Sequence, residues 1–275
     1  ANLLFHSLFV DTIAKENSLK GIVIENKSGR QIILSRVVID ATGDGDVAAR
    51  AGAPYEVGRK TDGLTQPPSL LFKLTNVNIK TFIAYAKEHP EDFLSPPVFP
   101  KCDRPIPEDE GFTEQHMQGE FSKGVKEAIK KGELYLGKDH INIYTDLWEG
   151  QVIINATRIL KVDSLNPRDL TFSEMEGRRQ MLSVVNFLRK NVPGFESCRV
   201  LQTGTHIGVR ESRRVLGEYV LTEKDVIEAR KFEDGIAKGA FSLDVHDPTS
   251  LGHPYETLEK MGIPKGGGYY EVPYR

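Results

Sequence analysis

The stretch VVIDATGDGDVAARAGAP, Val37 to Pro54, constrains the fold more than any other part of the chain. The run RVVIDA that leads into it is short and apolar on both faces. Such a run suits the middle of a buried parallel sheet, although periodicity alone does not separate it from a piece of helix. It delivers the chain to a turn of small residues, Ala41-Thr42-Gly43, where a flat or phosphorylated ligand could approach the backbone closely. Asp44 and Asp46 then stand where either can cap a helix starting at VAARAG. Two readings stay open: a ligand-facing turn, and a strand, turn and capped helix with no ligand.

Three familiar alternatives do not fit. A calcium loop wants acids at alternate positions, but Thr42 follows Asp40 at that spacing and no helix-loop-helix surrounds it. There is no Walker-type phosphate loop. GDGDVA also fails the dinucleotide fingerprint G-x-G-x-x-G, because Ala48 stands where the third glycine belongs. No metal site is expected.

Around this stretch, residues 2 to 40 read as a strand meander made of LLFHSLFVDTIA, GIVIE and QIILSRVVIDA, with turn residues at Asn26 to Gly29. The texture changes after Pro54, and QPPSLLFKLTNV offers a further strand behind a Pro-Pro break. Ile79, Phe82, Ile83 and Ala86 have helical spacing in a segment that should stop near Pro90. Five prolines between Ser95 and Glu110 predict a surface loop or lid. FTEQHMQGEFSKGVKEAIKKG reads as a charged helix, and HINIYTDLWEGQVIINATRIL as a hairpin turning near Glu149-Gly150. A longer helix follows. Thr171 and Glu174 have capping-box spacing, Met175, Leu182, Val185 and Leu188 supply its apolar stripe, and Arg189 and Lys190 suit its C-terminal end. RVLQT and GEYVL read as strands, TEKD as a Thr-led helix start, and the closing GYYEVPYR as strand-like. No internal repeat appears.

With 275 residues and 39% hydrophobic content, the chain can bury one large core or two linked ones. A net charge of -3, with acids and bases interspersed, disfavours nucleic acid and anionic lipid as partners. No run is long enough to span a bilayer, and the N-terminus has no targeting pattern. The two cysteines, Cys102 and Cys198, form no ligand pair or disulfide framework, which fits a cytoplasmic protein. A G-x-S-x-G hydrolase motif is missing.

VVIDATGDGDVAARAGAP, INATRI, HIGVRESRRVLGEYVLTEKDV and GYYEVPYR, in that order, resemble the FAD-dependent oxidoreductase family of bacteria. Its flavin domain is similar to those of glutathione reductase and fumarate reductase. The resemblance covers nearly the whole chain. Family members normally begin with a G-x-G-x-x-G strand-turn-helix and continue past PYR, so it implies a fragment that by itself binds FAD poorly and is inactive.

The implied fold is mixed α+β and α/β: a remnant of a flavin-binding Rossmann-like domain at 1–52, a substrate domain of sheet and helix at 53–245, and a return segment at 246–275. Ala41, Thr42, Gly43 and Asp44 match the turn expected to line the FAD. His206, Arg210, Glu211 and Arg213 match a cluster facing the substrate side of the flavin. Arginine suits a carboxylate clamp and histidine proton transfer near neutral pH, with Glu211 fixing the arginines. For Arg214 an ordinary solvated ion pair is the preferred reading. The implied activity is hydride transfer between flavin and a small anionic substrate. The alternative is a carboxylate- or partner-binding module without flavin. Self-association into a homo-oligomer stays open.

Asn155 and Arg158 fall on opposite faces of a strand and cannot both point into one pocket without a bulge, so a structural role stands at least level with a functional one for either. His116, His140, His246 and His253 read as isolated polar residues in loops or on exposed helix faces, without a role.

Overall fold

The computed structural model describes residues 2–100, 116–241, 244–250 and 268–275. The chain is a mixture of α and β elements in two compact units. The first holds residues 1–63, 211–245 and 255–275, and the second holds 64–210 and 246–254.

The first unit opens with β1 (Leu8–Lys15), β2 (Ser18–Asn26) and β3 (Gly29–Leu34), an antiparallel meander in that order. The expected turn at Asn26 to Gly29 is present, with Asn26 paired to Gly29 and Gly29 at φ 93°. RVVIDA does not continue as a strand. No strand among the described residues pairs with it, and Val37 and Ile39 are exposed at 75% and 87%. Backbone that finds no ladder has no reason to stay extended in a sheet. The helix α1 (Asp46–Arg50) and the strand β4 (Tyr55–Val57) follow.

The second unit is built on an antiparallel sheet of β5 (Phe72–Thr75), β6 (Gln118–Phe121), β7 (Ile141–Thr145), β8 (Val152–Asn155) and β9 (Arg199–Thr203), in the spatial order β6-β7-β8-β5-β9. Helices α2 (Ile79–Glu88), α3 (Val125–Lys130) and α4 (Pro167–Asn191) contribute to its core. Phe72, Phe82, Phe121, Ile143, Ile154 and Leu188 are each at most 1% exposed. α2 buries Ile79, Phe82, Ile83 and Ala86 and ends before Pro90, as its spacing predicts. The β7–β8 hairpin is present as expected. The region expected as one charged helix is instead a strand and a short helix, β6 and α3. Gly119 lies hard against the Phe93 ring in the first, and the left-handed Gly124 opens the second. The proline-rich lid and Cys102 lie largely or wholly outside the described residues.

α4 starts a turn earlier than its Thr171–Glu174 spacing suggests. Asn166 caps it by accepting from the Arg168 N–H, and Pro167 occupies a first-turn position that needs no donor. Thr171 therefore sits within the helix and donates to the Pro167 carbonyl. The buried face is rotated as well. Met175 and Leu182 are 68% and 57% exposed, while Glu176, Gly177, Gln180, Met181 and Val184 are turned inward. A long helix whose inward face carries Glu176 and Gln180 is packing against something polar.

The chain then returns to the first unit through β10 (Arg213–Val215), α5 (Glu223–Ile227), β11 (Gly235–Gly239) and β12 (Tyr270–Pro273). Thr222 caps α5 in a full capping box with Asp225. The strand expected at GEYVL falls earlier, at β10, because that segment pairs with β4. This pairing holds 53–63 and 211–245 in the first unit, where the sequence alone places them with the substrate domain. All strand pairs among the described residues are antiparallel, so the expected parallel sheet is not formed by them.

One glycine tests how the core of the second unit is closed. Gly194 is at φ 93°, and a β-carbon there would stand 2.6 Å from the Asn78 carbonyl oxygen. Asn78 caps α2, and Phe195 packs edge-on to Phe82 at 5.0 Å. Gly194→Ala combines left-handed strain with a backbone clash, so we expect a loss of about 2–4 kcal/mol in denaturant unfolding. A loss under about 0.5 kcal/mol, the level of an ordinary surface change, would contradict this account.

Candidate functional site

In the first unit, one carboxylate organises the turn between the RVVIDA run and α1. Asp40 accepts from the Thr42 N–H at 3.1 Å and the Thr42 hydroxyl at 2.8 Å, and its second oxygen reaches the Ala48 N–H at 2.9 Å. Burial raises the Asp40 pKa, but these hydrogen bonds outweigh it and hold the carboxyl below its usual range. Thr42 in turn accepts from the Asp46 N–H. The expected caps are therefore wrong: Asp44 and Asp46 do not cap α1. Gly45, in a left-handed conformation, occupies the N-cap position, and Asp40 and Thr42 receive the helix N–H groups. Gly43 is also left-handed, at φ 82°, with no atom within 4 Å of where a β-carbon would stand. Ala41, Thr42 and Gly43 are exposed, and Asp44 half-buried. The turn thus presents small residues and open backbone outward.

Asp44 and Asp46 anchor the returning strand instead. Ser212 donates to Asp44 at 2.6 Å, and Arg213 donates to the Asp44 carbonyl at 3.0 Å and to Asp46 at 2.7 Å. The guanidinium of Arg213 is accordingly committed to holding the turn, which argues against its role as a substrate clamp. Glu211 accepts from Arg214, and Arg214 also donates to the Gly58 carbonyl. Arg214 therefore behaves as the ordinary ion-pair partner the sequence suggests. His206 and Arg210 belong to the second unit, Glu211 and Arg213 to the first, so the four matched residues span the crossing point of the chain. His206 is exposed, and Arg210 donates to the Ser69 hydroxyl at 3.1 Å.

The second unit holds a buried polar cluster that sequence reading misses. Burial alternates through Leu134, Leu136, Lys138 and His140, so the extended segment entering β7 turns Lys138 and His140 inward. Lys138 is 5% exposed and donates to Asn142 Oδ1, and Asn142 Nδ2 donates to Glu120 at 3.0 Å. Glu120 and Asn142 are directly paired across β6 and β7. Burial, reinforced by the Arg158 charge, pulls the Lys138 pKa down to about 7.

His140 is fully buried, and its Nδ1 lies 2.8 Å from Asp139. A bond to a carboxylate places the proton on Nδ1. Burial first and Lys138 second lower the His140 pKa to about 4, so the ring is neutral at physiological pH. Asp139 is also 3.3 Å from Lys126.

Arg158, 4% exposed, completes the cluster. Its backbone N–H donates to Gln180 Oε1 at 2.9 Å, and Gln180 Nε2 donates to its carbonyl at 3.0 Å and to Glu176 at 3.0 Å. This is the polar partner of the inward face of α4. The guanidinium contacts the Ser250 carbonyl and His246 Nδ1, both at 3.3 Å. Arginine can only donate, so in this contact His246 Nδ1 is the acceptor. Gly137 lets the two segments meet: a β-carbon there would stand 2.1 Å from the Arg158 carbonyl oxygen. An open pocket of about 220 Å³ adjoins this contact, lined by Gly137, Arg158, Gln180, Glu176, Tyr135 and Phe172.

These positions correct the readings of His140 and His246 as isolated polar residues in loops or on exposed helix faces, since both are buried. Glycine before a polar alternation, G-K-D-H-I-N, was the available signal. It misleads because a polar strand face is ordinarily the solvated one.

Among the described residues, no helix is long and apolar enough to cross a membrane. No curated protein and no solved structure matches the chain. The model of the family described as FAD dependent oxidoreductase matches residues 1–275. With a match over its full length, the chain belongs to the FAD dependent oxidoreductase family.

Proposed function

We propose that this chain serves an enzyme that transfers a hydride between FAD and a small anionic substrate. The observation that carries this reading is the Asp40-organised turn, whose left-handed Gly43 leaves the backbone open to a flat ligand. Ala41, Thr42, Gly43 and Asp44 fit one edge of a flavin nucleotide: small, outward-facing, and fixed by bonds that point inward. FAD, when bound, supplies the hydride chemistry. The chain's own residues position that edge and orient the substrate. Arg213 fixes the turn through Asp44 and Asp46. Arg210 and His206 remain the substrate-orienting candidates of the matched cluster, with Glu211 acting on Arg214.

Two glycines make the test specific. Gly43 and Gly29 both have left-handed φ and open space where a β-carbon would stand, so alanine costs each about 1 kcal/mol of strain. In flavin-fluorescence titrations of the protein, Gly43→Ala is expected to weaken FAD binding at least tenfold, while Gly29→Ala leaves it unchanged. Equal FAD affinity in the two variants would remove the turn from the cofactor site.

A further inference from the structure

We propose that the pocket between the Tyr135–Gly137 segment and α4 binds a small primary ammonium, with Glu176 as its counter-charge, in a place that the Arg179 guanidinium fills when no ligand is bound. The site lies within the second unit and rests neither on the flavin reading nor on an anionic substrate.

α4 and the segment facing it build the pocket. Phe172, Glu176 and Gln180 follow one another at four-residue spacing, so they stack along one face of the helix. The Tyr135 N–H donates to the Ser183 hydroxyl at 2.7 Å, which holds the facing segment against that helix. The space between them is about 220 Å³, below the range of drug-sized sites, and is lined by Tyr135, Phe172 and Glu176 with apolar wall at Ile159 and Leu160.

Glu176 gives this space its charge. It is 7% exposed, yet its hydrogen bond at 3.0 Å comes from the neutral amide of Gln180. The Tyr135 hydroxyl is a second neutral neighbour, and interaction with Glu176, ahead of burial, raises its pKa. The nearest cation, Arg179, stands 4.0 Å away at the outer limit of an ion pair, on a side chain that is 69% exposed. A buried carboxylate is well compensated only by a close partner of good geometry, which this arginine does not supply. Arg158 also lines the pocket, but its guanidinium is committed to the Ser250 carbonyl and His246 Nδ1.

Arg179 shows which ligand fits. Its guanidinium carbon lies 4.1 Å from the centre of the Tyr135 ring while the same group reaches toward Glu176. A place that holds one organic cation between an aromatic face and a carboxylate suits another by the same electrostatics. Exposed pairs of this kind contribute little, so the arginine yields the place at small cost. A single carboxylate falls far short of the roughly six or more oxygen ligands that calcium takes, which favours an organic cation over a metal ion. The aromatic and aliphatic walls suit a short alkyl chain behind the ammonium.

Propylammonium is the probe, titrated into the full chain without FAD. The reporter is the Tyr135 ring signal in spectra of ring-13C tyrosine, assigned by its loss in Tyr135→Leu. Propylammonium should shift that signal saturably, and 1-propanol, of the same length but uncharged, should not. Glu176→Gln keeps an acceptor for Gln180 Nε2 and removes the charge, so affinity should fall at least about tenfold. Arg179→Ala, at an exposed position, should tighten binding about threefold, because the internal competitor for the Tyr135 face is gone. Loss of function and gain of function from neighbouring residues of one helix separate a site from general loosening. Equal response to propanol, unchanged affinity in Glu176→Gln, or unchanged or weaker affinity in Arg179→Ala each overturns the proposal.

Discussion

Lys138→Met is expected to be more stable than the native chain at pH 7 and less stable at pH 10. The native lysine has a folded pKa of about 7, against about 10.4 in an unfolded chain. Between those values the unfolded state binds more protons, so native stability rises with pH through that window. Below pH 7 the full cost of burying the ammonium is present. It amounts to on the order of 4 kcal/mol, from roughly three pK units at 1.36 kcal/mol each. Methionine removes this cost but leaves the Asn142 carbonyl oxygen without its donor, which costs about 1–3 kcal/mol.

At neutral pH the first effect wins and the variant gains roughly 2 kcal/mol. At pH 10 the ionisation cost has largely gone, and the lost hydrogen bond decides the order. Urea unfolding of both proteins across this range checks the crossover. A constant difference between them would mean that Lys138 does not titrate near neutrality.

His140 works in the same direction at lower pH. Its folded pKa of about 4 lies below the unfolded value of about 6.5, so its contribution is lost as pH falls from 6.5 to 4. Because Lys138 is among the causes of that shift, the two titrations belong to one coupled cluster.

How much of this was legible in the sequence depends on whether local or distant partners decide each residue's place. α2 was readable because its apolar spacing, its cap and its stop at Pro90 all lie within a dozen residues. The meander and the β7–β8 hairpin were readable for the same reason. RVVIDA looked like a buried strand, but strand formation needs a pairing partner, and no local pattern supplies one. Asp44 and Asp46 looked like caps. The competition was settled by Asp40, which arrives from the other side of the turn, and by Arg213, which comes from far along the chain.

The buried cluster was hidden for a further reason. Lys138, His140 and Asn142 fall at alternate positions, with Asp139 and Ile141 between them, as the polar face of a solvated strand would. Only the inward-turned Glu176 and Gln180 of α4, and Arg158 across from Gly137, make that face an interior one. Arg158, Glu176 and Gln180 lie 21, 39 and 43 positions beyond Gly137, so pattern reading within a window does not connect them.

Gly137→Ala tests whether the backbone contact sets the chemistry of the cluster. A β-carbon 2.1 Å from the Arg158 carbonyl oxygen must displace one backbone or the other, and that carbonyl is also the acceptor for Gln180 Nε2. Overpacking of this kind costs about 1–3 kcal/mol. The more informative consequence is electrostatic. Arg158 is the largest charge effect on Lys138, so pushing the two segments apart weakens the repulsion and opens the lysine to water. Both changes favour the ammonium, and the Lys138 midpoint, read from its lysine 13Cε–15Nζ signal, should rise by at least about one pK unit toward the ordinary lysine value. Gly194→Ala, in the same unit, should cost comparable stability while leaving the midpoint where it is, because its clash falls on Asn78 and not on the cluster. If both variants raise the midpoint equally, general loosening of the unit accounts for the shift and the Gly137–Arg158 contact has no special part in it. If only Gly137→Ala does, the absent side chain at 137 is what keeps a buried lysine poised at neutral pH.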